Sequence, residues 1–333
     1  MGFAIEREKE FDFIKASCAI MVVLHHSIHY YTEIVTGSVA FDVMIALLKT
    51  CHVPLFLIAA GYFCHEQTIS TFYQKKIKRI WIPFVVFSIL KLVYSMFISS
   101  EFSHGGASIV SRIKYSLLVG TQYWFIYAIL GMYLIAPLFW TKKNGVHSNG
   151  MIALIVSYAI ICVLTVYTEV LGHSLPMYFQ FGLAIFYVPY FAFGCFLRQN
   201  KDAWKSFYNN HYKGICIAST MIILAFLIIY TFNPRIWVFP MVFFVSVSCF
   251  NDLYFLVGKV KEGNKVLNTI SKYSLQIMFL DSFYRVVIFK IFRAVGMTNP
   301  IIIFLATIIT VFLCVVTCEV VEKIRFARVL FGL

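Results

Sequence analysis

The sequence is poor in charge. Asp, Glu, Lys and Arg together make up 13% of its 333 residues, about half the share usual in a soluble domain. A water-soluble fold of this length would need far more polar surface, so that class is excluded. Disorder is excluded by the opposite excess, 61% hydrophobic and 18% aromatic residues, with a mean hydropathy of +0.83. Metal and redox motifs are lacking too. The nine cysteines include no CxxC, and Cys18, Cys162, Cys195, Cys216, Cys249, Cys314 and Cys318 sit inside apolar runs. They read as small buried residues with no disulfide or metal framework. No low-complexity tract and no repeat period is present. The opening MGFAIEREKEFDF is mixed in sign and is neither a cleavable signal nor a myristoylation site.

What is there is long apolar runs. A helix needs about 20 apolar residues to cross a bilayer. Ten stretches qualify: 11–31, 39–63, 80–99, 120–140, 151–171, 178–197, 214–232, 236–257, 270–291 and 300–320. Residues 108–119 read as an amphipathic lead-in at the interface. The expected fold is all-α, a polytopic transmembrane bundle of about ten spans. It forms a single membrane domain over 1–333, with no soluble domain. Of the 28 basic residues, 20 lie in one alternating set of loops, five in the other, and Lys49, Lys91 and Arg285 inside spans. That bias puts both termini in the cytoplasm. The net charge of +13 is thereby a topology signal, and no nucleic-acid partner is needed to explain it.

Ionisable groups inside spans are costly and mark function. The first span carries Asp12, Lys15, His25, His26 and His29. Lys15 and His26 are eleven residues apart, three turns plus about 20°, so they share a helix face about 16 Å apart. His25 points about 80° away. An imidazole can take and return a proton at neutral pH, as a general base must. The alternative is a histidine anchor with a snorkelling lysine. His52, in KTCHVPLFLIAAGYF, is either a packing histidine or a second polar group facing His26 across a cavity. The small AAGYF run after it lets helices approach closely. In YQKKIKRIWIPF, Lys75, Lys76, Lys78 and Arg79 either serve topology and lipid headgroups or form a phosphate site. Asp281 and Arg285, four apart, fit a structural ion pair. Gln122, Tyr123, Trp124 and Tyr127 open the fourth span near the outer face, as an aromatic belt or as a platform for a sugar ring.

Taken in order, these stretches resemble the acyltransferase family 3 membrane proteins, bacterial enzymes that O-acylate cell-surface glycans. FDFIKASCAIMVVLHHS is similar to that family's opening, a basic residue, ten residues and a histidine, here Lys15 and His26. HVPLFLIAAGYF, YQKKIKRIWIPF, YWFIYAILGMYLIAPLF, ISKYSLQIMFLDSF and EKIRFARVLFGL resemble later stretches of the family. Ala60 stands where a serine is usual, and Asp281 where a histidine is common, which argues against a direct catalytic role at 281. The resemblance implies acetyl-CoA as donor, entering from the cytoplasm with its phosphates held by Lys15, Lys76 and Arg79. It implies His26 as general base or transient acyl carrier, and leaves His52 as a second catalytic candidate. Tyr123 and Trp124 become candidates for holding the acceptor, and no metal is called for. The acceptor would be a surface glycan or lipid-linked oligosaccharide of a capsule, exopolysaccharide or O-antigen. It would be acylated at the cell membrane directly or through a separate partner protein. A succinyl donor is the variant reading. A glycan transporter or flippase is the rival reading, though no inverted repeat supports it.

Overall fold

The computed structural model describes residues 8–30, 38–64, 68–97, 110, 123–140, 149–172, 181–233, 239–257 and 264–333. Among the described residues there is no strand. The helices are α1 (Lys9–Tyr30), α2 (Val39–Tyr62) and α3 (Ile69–Lys76), which runs through a π-turn (Ile77–Trp81) into α4 (Ile82–Phe97). Then come α5 (Trp124–Ile135), α6 (Asn149–Thr165), α7 (Phe181–Gln199), α8 (Lys201–Phe232) and α9 (Phe239–Val257). Last are α10 (Lys265–Lys272), α11 (Ser274–Ala294), α12 (Ile301–Glu322) and α13 (Arg325–Leu330).

Among the described residues, each of the ten apolar runs contains helix. Among the described residues, six helices are both long and apolar enough to cross a membrane: Lys9–Tyr30, Val39–Tyr62, Gly150–Glu169, Lys201–Phe232, Pro240–Val257 and Ile301–Glu322. Among the others, α4 and α5 have 16 and 12 residues, short for a full crossing. α11 has 21 residues but carries Asp281, Arg285, Lys290 and Arg293. The lead-in at 108–119 lies outside the described residues apart from Val110.

α1 runs through the middle of the bundle and packs on α2, α9, α10, α11 and α12. Its sequence explains this placement. Small and apolar residues (Ile14, Ala16, Cys18, Ala19, Val23) alternate around the helix and are fully buried, so α1 is surrounded by protein. α6, α8 and α12 instead expose large apolar side chains such as Val163, Ile217, Met221, Ile308 and Phe312, the surface expected against lipid. Helices in a bilayer gain little from the hydrophobic effect and associate through close packing. α2 and α7 approach closely. A Cβ on Gly61 would lie 2.1 Å from the Phe191 carbonyl oxygen, and one on Gly194 would lie 2.0 Å from that of Ile58. Only glycine allows both backbones that close. All nine cysteines are free thiols.

Candidate active site

The common face of α1 carries a site at each end. At the Lys15 end is a cavity of about 630 Å³, lined by Lys15, Lys75, Lys76 and Arg79 together with Glu8 and Asp12. The three cations singled out from sequence therefore share one cavity, brought from α1, the end of α3 and the π-turn. That turn adds a residue to the helical repeat where Arg79 stands, and such bulges recur at functional sites. Lys76 Nζ lies 3.8 Å from the centre of the Tyr133 ring and 5.3 Å from that of Phe72, a cation held by ring faces. Lys15 Nζ is 3.0 Å from Asp12 Oδ1, and that oxygen also accepts from Ser271 Oγ at 2.8 Å.

Glu8 closes this end of the bundle. It accepts hydrogen bonds from the Tyr62 hydroxyl at 2.9 Å and pairs with Lys201 at 2.8 Å and Arg198 at 3.4 Å. Burial works to raise its carboxyl, but the bonds from Lys201 and Tyr62 and the charge of Lys205 outweigh it. The group is held below its ordinary value of 4.5.

At the other end His26 Nδ1 lies 2.6 Å from Asp281 Oδ2. A carboxylate can only accept, so Nδ1 carries a proton, and in the neutral ring the lone pair is on Nε2. The His26 side chain is 37% exposed while that of Asp281 is 3% exposed, so the base is reachable and its partner is sealed. Arg285 steadies both: its Nε is 3.8 Å from Asp281 Oδ2, and its Nη1 donates to the His26 carbonyl at 3.3 Å. Lys91, also buried, is an electrostatic neighbour of Asp281 and lies 4.6 Å from the centre of the Tyr123 ring.

The structure corrects three expectations. His52 does not face His26. Its Nε2 is 3.2 Å from His25 Nδ1, because the residue before His26 is the one that α1 turns toward α2. The Val53 N–H donates to His52 Nδ1 at 2.6 Å, so His52 donates from Nε2 and His25 accepts. Tyr123 is no open platform. It is 4% exposed, donates to the Phe279 carbonyl at 3.1 Å, and is covered by Lys91, Phe84 and Phe279. It lies at the level of Asp281 rather than at the outer rim. Trp124 packs on Tyr187, and Gln122 lies outside the described residues. Third, Asp281 is no mere partner of Arg285, since it holds the His26 ring.

Asp281 and Lys91 are thus the residues that sequence reasoning missed in this role. Both were visible as ionisable groups inside apolar runs. Nothing local tied either to α1, which is 255 residues from Asp281 along the chain.

The model of one family, described as an acyltransferase domain, matches residues 8–319 of the chain. The chain belongs to this acyltransferase family 3, and is a membrane acyltransferase. No curated protein and no solved structure matches it.

Proposed function

We propose that the protein is an O-acetyltransferase of the cell membrane. It moves the acetyl group of acetyl-CoA to a hydroxyl of a surface glycan or lipid-linked oligosaccharide. In this reading the bundle spans the bilayer ten times as one domain, with both termini in the cytoplasm, the orientation that the bias of the loop charges supports. The Lys15–Lys76–Arg79 cavity then opens to the cytoplasm and takes the phosphates of the donor, with Arg79 able to clamp two oxygens at once. To reach His26 the pantetheine arm would have to pass Cys18, Ala19 and Val22, the buried residues between it and Lys15 on this face.

The observation that carries this reading is the His26–Asp281 bond at 2.6 Å, on the same helix face as the cation cavity. His26 Nε2 takes the proton from the acceptor hydroxyl. The oxygen attacks the thioester carbonyl, the carbon–sulfur bond breaks, and CoA leaves as the thiol after accepting the proton back from His26. Asp281 fixes the tautomer and stabilises the imidazolium that forms in between. The same bond would serve a His26 acyl carrier, because attack also needs Nε2 unprotonated. The acceptor is modified directly or through a separate partner on its side of the membrane.

The test is surface-glycan O-acetylation in cells with the gene, without it, and with His26→Ala at equal protein level. Acetyl esters that depend on both the gene and His26 bear the reading out. Unchanged acetylation in all three strains overturns it.

A further inference from the structure

The end of the bundle that holds His26 is rich in positive charge. Arg285 stands one turn beyond Asp281 on α11. Arg293 follows two turns later and is exposed. Both reach Tyr30 at the end of α1, with guanidinium carbons 5.3 Å and 5.5 Å from its ring centre. On α2, Lys49 lies three residues before His52 on the same helix face and is exposed. Lys49 and Arg285 are charged neighbours of His25 and His29. Among the described residues, Asp281 is the carboxylate in contact with His26, and it is sealed beneath the ring. Asp42 lies seven residues before Lys49, two turns further out on α2. The half-exposed His26 thus stands in a cluster of cations: Arg285 on its own carbonyl, Arg293 on Tyr30 one turn further along α1, and Lys49 beside the flanking His25 and His29.

Such a cluster selects its substrate by charge. A neutral sugar offers these cations only hydroxyl and ring oxygens as acceptors. A sugar with a carboxylate, or one joined to a phosphate, gains charge-assisted contacts with them. We propose that the acceptor hydroxyl belongs to an anionic glycan, whose carboxylate or phosphate is held between Lys49 and Arg293 while His26 deprotonates the neighbouring hydroxyl. This rests on the acetyltransferase reading above and names its substrate class. Arg293 and Lys49 act in binding and positioning, not in the chemical step.

The experiment labels cells with radioactive acetate. Glycans and lipid-linked oligosaccharides are extracted and separated by anion exchange, in strains carrying the protein or its His26→Ala variant. His26-dependent acetyl esters should elute in the anionic fractions, and mass spectrometry of those fractions tells a uronate from a phosphate. His26-dependent label in the neutral fractions overturns the proposal and leaves the acetyltransferase reading standing. No His26-dependent label in any fraction overturns both. A second arm replaces the cations. Arg293→Gln and Lys49→Gln should each raise the apparent KM for the anionic acceptor roughly tenfold, the size of one charge-assisted contact. The KM for acetyl-CoA should not move, and Arg293→Lys should recover most of the loss. An unchanged acceptor KM in both glutamine variants overturns the proposal.

Discussion

His26 and Asp281 are held 2.6 Å apart by two helices that meet in sequence only at opposite ends of the chain. The relationship fixes the chemistry of His26: the proton sits on Nδ1, and Nε2 is the basic atom. Replacing His26 with Ala should abolish glycan acetylation, and Asp281→Asn should lower kcat by about 10²–10⁴-fold. The KM for acetyl-CoA should change little in Asp281→Asn, because the cation cavity is three turns away. Kinetics of CoA release by the protein in lipid nanodiscs measure both. Asp281→Asn at full kcat would show the bond to be structural.

The His25–His52 pair should matter less. His52 donates from Nε2 to His25, and a glutamine amide can place a donor near the same point. His52→Gln should therefore keep most of the activity. His52→Leu leaves the half-buried His25 Nδ1 without its donor, at a cost of up to about 1–3 kcal/mol, and should lower thermal stability more than it lowers kcat. His25→Ala should be milder than His26→Ala, read as activity at equal protein level.

At the donor cavity, Lys76→Ala and Arg79→Ala should each raise the apparent KM for acetyl-CoA roughly tenfold or more. A charge-assisted hydrogen bond contributes about 1.5–3 kcal/mol. Lys15→Ala should add a second effect, since Asp12, 3.0 Å away, loses its counter-charge. Acetyl-CoA saturation curves check this. A fall in inserted protein with unchanged KM would instead assign these cations to topology.

Much of this was legible along the chain. The Lys15–His26 spacing follows from 3.6 residues per turn, and α1 keeps it. The basic run before Pro83 does gather round the cavity that Lys15 lines. Helical periodicity cannot say which neighbour a given face meets. His25 and His26 differ by one residue, and only the packing of α1 between α2 and α11 sends the first to His52 and the second to Asp281. The burial of Tyr123 was hidden for the same reason. Its place at the head of an apolar run suggests an interface, but α5 starts deep in the bundle, where Lys91 and Phe279 surround the ring.

The glycines of the α2–α7 contact offer a packing test. Gly194→Ala would push a methyl within 2.0 Å of a backbone carbonyl, and Gly61→Ala within 2.1 Å. Backbone cannot retreat as a flexible side chain can, so each should cost about 3 kcal/mol or more. Gly214→Ala is the contrast: it lies in α8 with nothing within 4 Å of the added Cβ. It should stabilise the helix by about 0.5–1 kcal/mol. Melting temperatures of the purified variants in one detergent decide. Equal melting of Gly194→Ala and wild type would mean that α2 and α7 do not pack this closely.

The last prediction concerns pH and Glu8. Its folded carboxyl lies below the ordinary 4.5 because Lys201, Tyr62 and Lys205 favour the charged form over the opposing effect of burial. The unfolded chain therefore takes up a proton at higher pH than the folded protein. It follows that Glu8 contributes its full stabilisation above pH 4.5, and loses it as the pH falls through the depressed folded value. At pH 7 Glu8→Gln should be less stable than wild type by about 1–3 kcal/mol, the worth of a charged hydrogen bond. Its deficit should shrink as the pH drops below 4.5. Thermal unfolding of both proteins across that range gives the two curves. If the gap is the same at pH 7 and well below 4.5, the stabilisation comes from the shape of the side chain and not from its charge. The Lys201 and Arg198 pairs would then add nothing to the hold of α7 and α8 on the start of α1.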